Sequence, residues 1–428
     1  MIKTAEALYL DGLIDCVVVV APNGVYLNWS ENELPKHAEI DYSTYRWISG
    51  EKGRVEDFYS TVAVVDKLPY LLFPSHIMIK QDAIAMFKYL NTSGKRWLLI
   101  VDESHDFRNS CLKTKNLIVF ARGAAYKRIL TGTPMSKEPL NLFYQFQILK
   151  EGVLGDKNIT AFTKKYAVYE YEKNKSGQYY PQITGYRDVD KLMEIVKPFS
   201  TVIIREVTDR VIEEVRFELT EEEKKIYRQI LKTFNFDANG ENHRLNVNAT
   251  KRVKLQQVTS GFVIDEESKL VKLKKSSRLE AFKKLYYSEA DKNIVVWAHF
   301  QEDVNMLKSF FNSISVTPVI FNGTSSNAEK EKARKYLNKD SKTEQGVIIA
   351  HRVSAGAGID MSRADVMIEY SYTENVFASE QALARGSKIG RDNIKVYRLT
   401  CGGLDDIIIK SLSKQANREK ETLSELMI

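Results

Sequence analysis

The sequence predicts an α/β protein built as two parallel-sheet lobes with helical insertions between and on them. Three observations predict it. Short apolar runs, each followed by a turn and a helical pattern, recur in two groups. A long, charged and mostly helical stretch, roughly residues 140–275, keeps the groups apart. The length of 428 residues is enough for two or three domains. Continuous β-rich runs alternating with helices are the pattern of parallel strands covered on both faces. The expected division is a first lobe over 1–150, a helical insertion over 151–275, and a second lobe over 276–428 that ends in a helix.

In chain order, the early strands are expected at Cys16–Ala21, Thr61–Val65, Trp97–Val101 and Arg128–Leu130. In the middle, Thr220 and Glu223 have the spacing of a capping box, in which each side chain satisfies a backbone N–H of the other residue. The late strands are expected at Asn293–Ala298, Val316–Phe321, Gly346–Ala350, Asp365–Glu369 and Lys395–Leu399. The tail after Leu404 has the spacing of one amphipathic helix that packs back on the chain. Neither repeats nor low-complexity segments interrupt the pattern.

Composition narrows the class. Hydrophobic residues at 43% and charged residues at 28% are ordinary for a globular protein and exclude a disordered or fibrous chain. Lys+Arg 63 against Asp+Glu 56 gives +7, which is compatible with a polyanionic partner without requiring one. Cys16, Cys111 and Cys401 are too scattered for a zinc site or a disulfide framework, and a reducing compartment is their natural home. No apolar stretch approaches a membrane span, and Val17–Val20 is too short for the core of a signal peptide. A cytoplasmic protein that is not secreted is therefore expected.

The chemistry is concentrated at strand ends. The run Leu98–Val101 ends in Asp102 and Glu103, with His105 two residues on, and Arg128–Leu130 ends in the polar turn Thr131-Gly132-Thr133-Pro134. Ligands of a parallel sheet sit outside the carboxyl ends of its strands. In a nucleotide hydrolase the first acid at such an end holds Mg²⁺ and the second positions the attacking water. That assigns Asp102 to the metal and Glu103 to the water. An Asp-Glu pair alone is equally well read as a solvated turn after a core strand, and the Thr131–Pro134 turn tips the balance to catalysis.

Further segments follow in a fixed order. Val18–Pro22 leads through Asn23 to Asn28 and Trp29; Phe107, Arg108 and Asn109 follow the acidic pair; Pro139–Phe143 follows the Thr131 turn. Then come Asn293–Phe300, Phe321–Ser325, Ser354–Met361 with Gly356, Gly358 and Asp360, and Gln381–Gly390 with Arg385 and Lys388. In this order the segments resemble motifs Ia, Walker B, III, IV, V and VI of the superfamily 2 helicases, and among those the Swi/Snf-type double-stranded DNA translocases. The resemblance covers nearly the whole chain.

The resemblance implies two RecA-like lobes, ATP and Mg²⁺ as cofactors, and DNA as the track. It implies that Arg385 supplies positive charge to the transferring phosphoryl group as an arginine finger from the second lobe, with Gln381 and Lys388 beside it. His105, Gly358 and Asp360 are implied on the nucleotide side, and His105 with Thr131 and Thr133 couples the two sites. Asn23, Asn28, Trp29, Arg108, Asn109, Thr324, Ser325 and Ser354 are the implied nucleic-acid contacts, to phosphates that position the track without reading sequence. Lys251, Arg252, Lys254 and the run Lys272–Lys275 either add backbone charge or form solvated faces. No base-reading module is visible, so sequence-nonspecific and salt-sensitive binding is expected.

Two positions depart from the family pattern. The family's P-loop reads Gly-x-Gly-Lys-Thr, whereas this chain opens Met1-Ile2-Lys3-Thr4. Lys3 and Thr4 occupy the last two places, with Thr4 joining Asp102 as a Mg²⁺ ligand, but the glycines whose N–H groups cradle phosphate are missing. Either the sequence begins inside that motif or nucleotide binding is poor. Lys388 stands where the family has a second arginine, which keeps the charge and loses the bidentate fork; Arg391 lies nearby.

The leading expectation is ATP-dependent translocation on duplex or branched DNA in replication, recombination or repair, in a bacterial cell or a virus-infected host. A strand-separating helicase is the second expectation; it needs a wedge hairpin, which no segment announces. A nucleic-acid-binding scaffold with a decayed or truncated ATPase is the third. If motif VI is aligned correctly, Lys388→Arg leaves ATP turnover equal or higher; a large loss in a steady-state assay means that the motif lies elsewhere.

Overall fold

The two groups of apolar runs become two parallel sheets. The structure, a computed structural model, describes residues 1–413 except 24, 52–53, 133, 136–137, 174–176, 204–209, 234, 246–250, 323–324, 326–328, 330–345, 352–360, 362, 374–378, 380–381 and 384–393. The chain divides into two compact units, Met1–Ile203 and Ile204–Arg418.

In the first unit, β1 (Cys16–Ala21), β2 (Tyr42–Arg46), β3 (Leu68–Pro74), β4 (Trp97–Val101) and β5 (Tyr126–Ile129) form a sheet in the order β2-β3-β1-β4-β5. Every pairing is parallel. β1, β3 and β4 are buried at each residue, which is why these runs carry no polar alternation. Val18, Val20, Phe73, Phe87 and Leu99 share one hydrophobic core with Phe58 and Trp97. β1 leads away to β2 and β3 on one side, and β4 leads to β5 on the other. The carboxyl ends of β1 and β4 therefore flank a topological switch point, the usual place for a ligand in such sheets.

One early strand is displaced from its expected position. Thr61–Val65 is not a strand: the helix Arg54–Val62 takes its first residues, and the strand is Leu68–Pro74. A short apolar run does not by itself distinguish a helix end from a strand. Val62 is fully buried as the last residue of that helix.

The expected mostly helical middle is also corrected. It contains β6 (Ala167–Lys173) and β7 (Tyr179–Tyr186) as an antiparallel hairpin, then β8 (Arg210–Arg216). Two further hairpins follow, β9 (Asn235–Ala238) with β10 (Glu241–Arg244), and β11 (Phe262–Ile264) with β12 (Leu270–Lys272). The boundary between the units falls inside the stretch expected to be one insertion, after Ile203. β6, β7 and β8 are largely exposed and β9 to β12 are only three or four residues long, so none shows the apolar run that marks a buried strand. The capping box is present: Glu223 N–H donates to Thr220 Oγ1, and Thr220 N–H donates to the Glu223 carboxylate.

The second unit holds β13 (Ile294–Ala298), β14 (Val319–Phe321), β15 (Val347–His351), β16 (Val366–Glu369) and β17 (Ile394–Thr400). Their order is β14-β15-β13-β16-β17, with β8 added beyond β17, and all pairings are parallel. The first five strands repeat the strand order of the first sheet, so a second switch point lies between β13 and β16. Alternate residues feed two cores, Ile294, Val296 and Ala298 on one face and Val295 and Trp297 on the other. Residues 404–413 are helical, and Leu404, Ile408, Ile409 and Leu412 pack with Ile226, Ile230, Leu255 and Val258; the rest of the expected tail helix lies outside the described residues. Among the described residues no helix is long and apolar enough to cross a membrane.

At the second switch point the His299 N–H donates to Ser371 Oγ at 2.7 Å, and Ser371 Oγ donates to Asp303 Oδ2 at 2.6 Å. Burial disfavours the charged carboxylate and pushes the Asp303 pKa up to about 6. A carboxyl with a raised folded-state pKa adds stability below its unfolded value, and that contribution is lost as pH rises through the folded value. Relative to Asp303→Asn, the native protein is therefore expected to lose stability as pH rises from about 4 to about 7. Denaturant melts of both proteins across that range check it, and parallel curves would refute the assignment.

Candidate functional site

The apolar strand β4 delivers Asp102 and Glu103 to the first switch point, where the segment leaving β1 folds over them. The Asp102 N–H donates to the Val20 carbonyl at 2.8 Å, continuing the β1–β4 ladder by one residue. Past β1 the chain enters a short helix, Tyr26–Asn28, and a π-helical turn, Trp29–Glu33. Such turns shift the facing of the side chains they contain. Here the result is that the Trp29 Nε1–H donates to Asp102 Oδ2 at 3.1 Å. The Glu103 N–H donates to Asp102 Oδ1 at 3.0 Å, so both carboxylate oxygens accept a hydrogen bond.

Burial raises the Asp102 pKa; the Trp29 bond opposes that shift and the neighbouring Glu103 charge adds to it. A desolvated carboxylate beside a second acid is the environment that a divalent cation relieves. Magnesium is commonly held by one or two carboxylates together with substrate phosphates. Asp102 fits that role without a larger ligand cluster. Among the described residues no group of three or more His, Cys, Asp or Glu side chains could hold a metal alone.

Glu103 sits in the left-handed region, with φ 51° and ψ 52°. That conformation turns its side chain out of the strand direction toward His105, whose Nδ1 lies 3.3 Å from Glu103 Oε2. The same Nδ1 lies 3.2 Å from Thr131 Oγ1. The Ser104 N–H donates to the Leu130 carbonyl at 2.9 Å, and Ser104 Oγ donates to Gln145 Oε1 at 2.8 Å. Gln145 Nε2 in turn donates to the Pro134 carbonyl at 2.6 Å. The acidic turn and the Thr131 turn are thus joined at three points.

Asp102, Glu103, His105, Thr131 and Trp29 are brought together. Trp29 is a correction: expected among the nucleic-acid contacts, it is only 6% exposed and stands behind Asp102 as a positioning residue, because its ring N–H is bound to the carboxylate. Asn23 and Asn109 are exposed and Arg108 is half-buried, at the carboxyl ends of β1 and β4. Asn28 donates to Glu33 Oε1 at 3.1 Å. Ser325 is also corrected: it is buried in the turn after β14, where its Oγ donates to Asn322 Oδ1. Lys254 is buried and donates to the Ile264 carbonyl, which withholds its charge from phosphate, while the exposed Lys272 pairs with Glu302 at 2.7 Å. Arg385, Lys388, Gln381, Gly358, Asp360, Thr324, Ser354 and Thr133 lie outside the described residues.

Lys3 and Thr4 sit in the first turn of the helix Ile2–Leu10. Tyr9, near the far end, donates its hydroxyl to the Val65 carbonyl just before β3 starts. Glu6, one turn in, accepts from the Glu39 N–H at 2.6 Å, so the opening turns of the helix pack against the segment that leads into β2. The Lys3 ammonium is 2.5 Å from Glu39 Oε1 and 3.2 Å from Glu6 Oε2, contacts that raise its pKa, and it makes neither contact with Asp102 nor with Glu103. Sequence reasoning missed Gln145 and Ser104. The signal was present: Gln145 and Gln147 interrupt the otherwise apolar run Leu142–Leu149, and buried polar side chains imply a satisfied network.

A family model described as the SNF2-related domain matches residues 10–278, and the helicase conserved C-terminal domain matches residues 277–390. The chain belongs to the SNF2-related family. Among curated proteins it is similar to an uncharacterized ATP-dependent helicase of Mycoplasma genitalium, with 21% identity over 420 residues covering 95% of this chain and 37% of that protein. It is also similar to the putative ATP-dependent helicase/translocase YwqA of Bacillus subtilis, with 22% identity over 434 residues covering 96% of this chain and 43% of that protein. The chromatin remodeling factor mit1 of Schizosaccharomyces pombe shares 21% identity over 457 residues, 95% of this chain and 30% of its own length. The chain thus spans less than half the length of these relatives. Among solved structures it resembles a Sulfolobus solfataricus SWI2/SNF2 ATPase core in complex with double-stranded DNA, at 18% identity and a TM-score of 0.38, covering 98% of this chain and 84% of that one.

Within this SNF2-related chain the Trp29–Asp102 bond is the contact most open to test. Trp29→Phe keeps an aromatic ring but removes the donor. It is expected to lower stability by about 1–3 kcal/mol, the usual worth of a hydrogen bond to a charged group. Denaturant melts with and without Mg²⁺ check this; a smaller deficit is expected with Mg²⁺ present, and an unchanged stability would remove Trp29 from the site.

Proposed function

We propose that this SNF2-related protein hydrolyses ATP with Mg²⁺ and uses the cycle to move along duplex or branched DNA. One observation carries the proposal: the Asp102 carboxylate is hydrogen-bonded to Trp29 in the motif Ia segment, while its neighbours Glu103 and Ser104 are tied through His105 and Gln145 to the Thr131 turn. A change at the acidic pair is therefore felt by the loop that carries Asn23 and Asn28 and by the loop that carries Thr131. That linkage is what a motor needs and what a static binding surface does not.

In this reading Asp102, with Thr4, would hold Mg²⁺, which supplies positive charge to the phosphoryl oxygens. Glu103 orients and accepts a proton from the attacking water, and His105 holds the Glu103 carboxylate in place. Asn23, Arg108 and Asn109 face the DNA backbone. The net charge of +7 favours sequence-nonspecific binding with a steep salt dependence.

A scaffold without turnover is the second reading. The observation that favours it is Lys3, whose ammonium is engaged by Glu39 and Glu6. ATP hydrolysis by the chain, with and without duplex DNA, separates the two. Glu103→Gln is expected to retain nucleotide binding and to lower DNA-stimulated turnover by about 100-fold or more. Turnover that is unchanged in the variant removes Glu103 from the chemistry, and the absence of turnover in the native chain with DNA binding intact favours the scaffold.

A further inference from the structure

The β6–β7 hairpin stands apart from both the switch-point site and the cores. Its root is fixed: Tyr166 and Ala167 are buried, and Arg187 donates from Nε to the Lys165 carbonyl and from Nη2 to the Lys164 carbonyl. Beyond the root, the ribbon is exposed on both faces. At about 3.3 Å per residue, the seven residues of β6 reach on the order of 20 Å.

The pairing register sorts its side chains. Tyr169 faces Ile183, Tyr171 faces Pro181, and Lys173 faces Tyr179; in the alternate places Glu170 faces Gln182 and Glu172 faces Tyr180. Residues opposite one another share a face, and successive residues alternate between faces. One face therefore collects Tyr169, Tyr171, Tyr179, Ile183, Pro181 and Lys173 with no carboxylate. Both glutamates lie on the other face, where Glu172 accepts the Tyr180 hydroxyl. Tyr171 and Tyr179 are 70% and 68% exposed, and the Lys173 ammonium sits 5.7 Å from the Tyr179 ring centre.

We infer that this face is a stacking platform for unpaired nucleotides where a DNA duplex opens into single strands. The inference rests on the nucleic-acid reading of the protein. Flat aromatic side chains beside a cation bind bases by their π-faces, whatever their sequence. Inside a duplex those faces are covered by neighbouring bases, so the platform selects unpaired ones. Tyrosine suits a protein interface as well, and charge tips the choice to a nucleic acid: protein interfaces are depleted in lysine, whereas Lys173 lies on this face, and Lys164 and Lys165 are exposed at the root. Segregating both acids to the back is what a polyanion requires.

The test is fluorescence anisotropy of the full chain on a forked duplex with single-stranded arms and on a blunt duplex of the same sequence. Tyr171→Ala with Tyr179→Ala is expected to weaken fork binding by about tenfold or more and to change blunt-duplex binding by less than about twofold. Tyr171→Phe with Tyr179→Phe is expected to restore the fork preference, since stacking needs the ring and not the hydroxyl. Equal losses on the two DNAs, or an unchanged fork affinity, overturn the platform while leaving the DNA reading intact. An unchanged fork affinity accompanied by altered self-association assigns the face to protein contact instead. A native chain that binds neither DNA overturns both readings.

Discussion

A carboxylate partly withdrawn from water at the end of an apolar strand is the constraint around which the first unit is arranged. β4 is buried along its whole length, so Asp102 reaches the switch point already partly desolvated. Leaving such a group without donors would cost several kcal/mol. The donors come from two directions, the next peptide of its own chain and the indole of Trp29. Supplying the second requires the segment after β1 to return across the carboxyl ends of the strands, and the π-helical turn Trp29–Glu33 allows the return. The motif Ia loop is therefore positioned by the same bond that satisfies the acid. The loop that offers Asn23 to solvent and the loop that holds the acid are parts of one folded structure.

The second unit meets the same sheet plan with a buried cation. Arg278 is essentially inaccessible, and its donors reach the Tyr370 carbonyl at 2.7 Å, the Leu399 carbonyl at 3.0 Å, the Thr259 carbonyl at 3.2 Å and Asp405 Oδ2 at 2.7 Å. These acceptors follow β16, end β17, end the helix Lys251–Thr259 and open the helical residues 404–413. One guanidinium thus binds the carboxyl side of the second sheet to the middle region and the tail. A buried pair of this kind is a weak source of net stability but a strong determinant of arrangement, because removing one partner leaves an uncompensated charge. This is a physical reason why the middle region after Ile203 belongs to the second unit.

What was legible in the sequence follows from burial. β1 and β4 fall at the residues expected of them because a strand covered on both faces must be apolar throughout, and Cys16–Ala21 and Trp97–Val101 are. The capping box at Thr220 and Glu223 was legible because it is a local pattern with its own geometry. β2, β8 and the β6–β7 hairpin were not, since an edge or free-standing strand carries polar residues that mimic a helix surface. Tyr169-Glu170-Tyr171-Glu172 did alternate with period two, and that signal was hidden by the charge of the stretch around it. That Asp102, Glu103 and His105 lie together at the carboxyl end of one strand could be read from their spacing. Trp29 could not be given its role, because which side of the site an indole faces depends on a turn whose shape no spacing encodes.

The backbone of Glu103 gives the site its direction of influence. A non-glycine residue in the left-handed region carries strain of order 1 kcal/mol or more and persists only where its surroundings hold it. Here the restraint acts on the next residue: Ser104 is fixed by the Leu130 carbonyl and by Gln145, and Gln145 is fixed by the Pro134 carbonyl. The strain at the acidic turn is thus sustained by the Thr131 turn and the helix Leu142–Leu149, not by the strand that delivers it. The Thr131 turn and Glu103 are joined through Ser104 and Gln145. Asp102 accepts from the Glu103 N–H, and it is the same carboxylate that Trp29 holds. The chain of contacts from the Thr131 turn to the loop after β1 therefore passes through the Glu103 peptide, the one left-handed residue of the acidic turn.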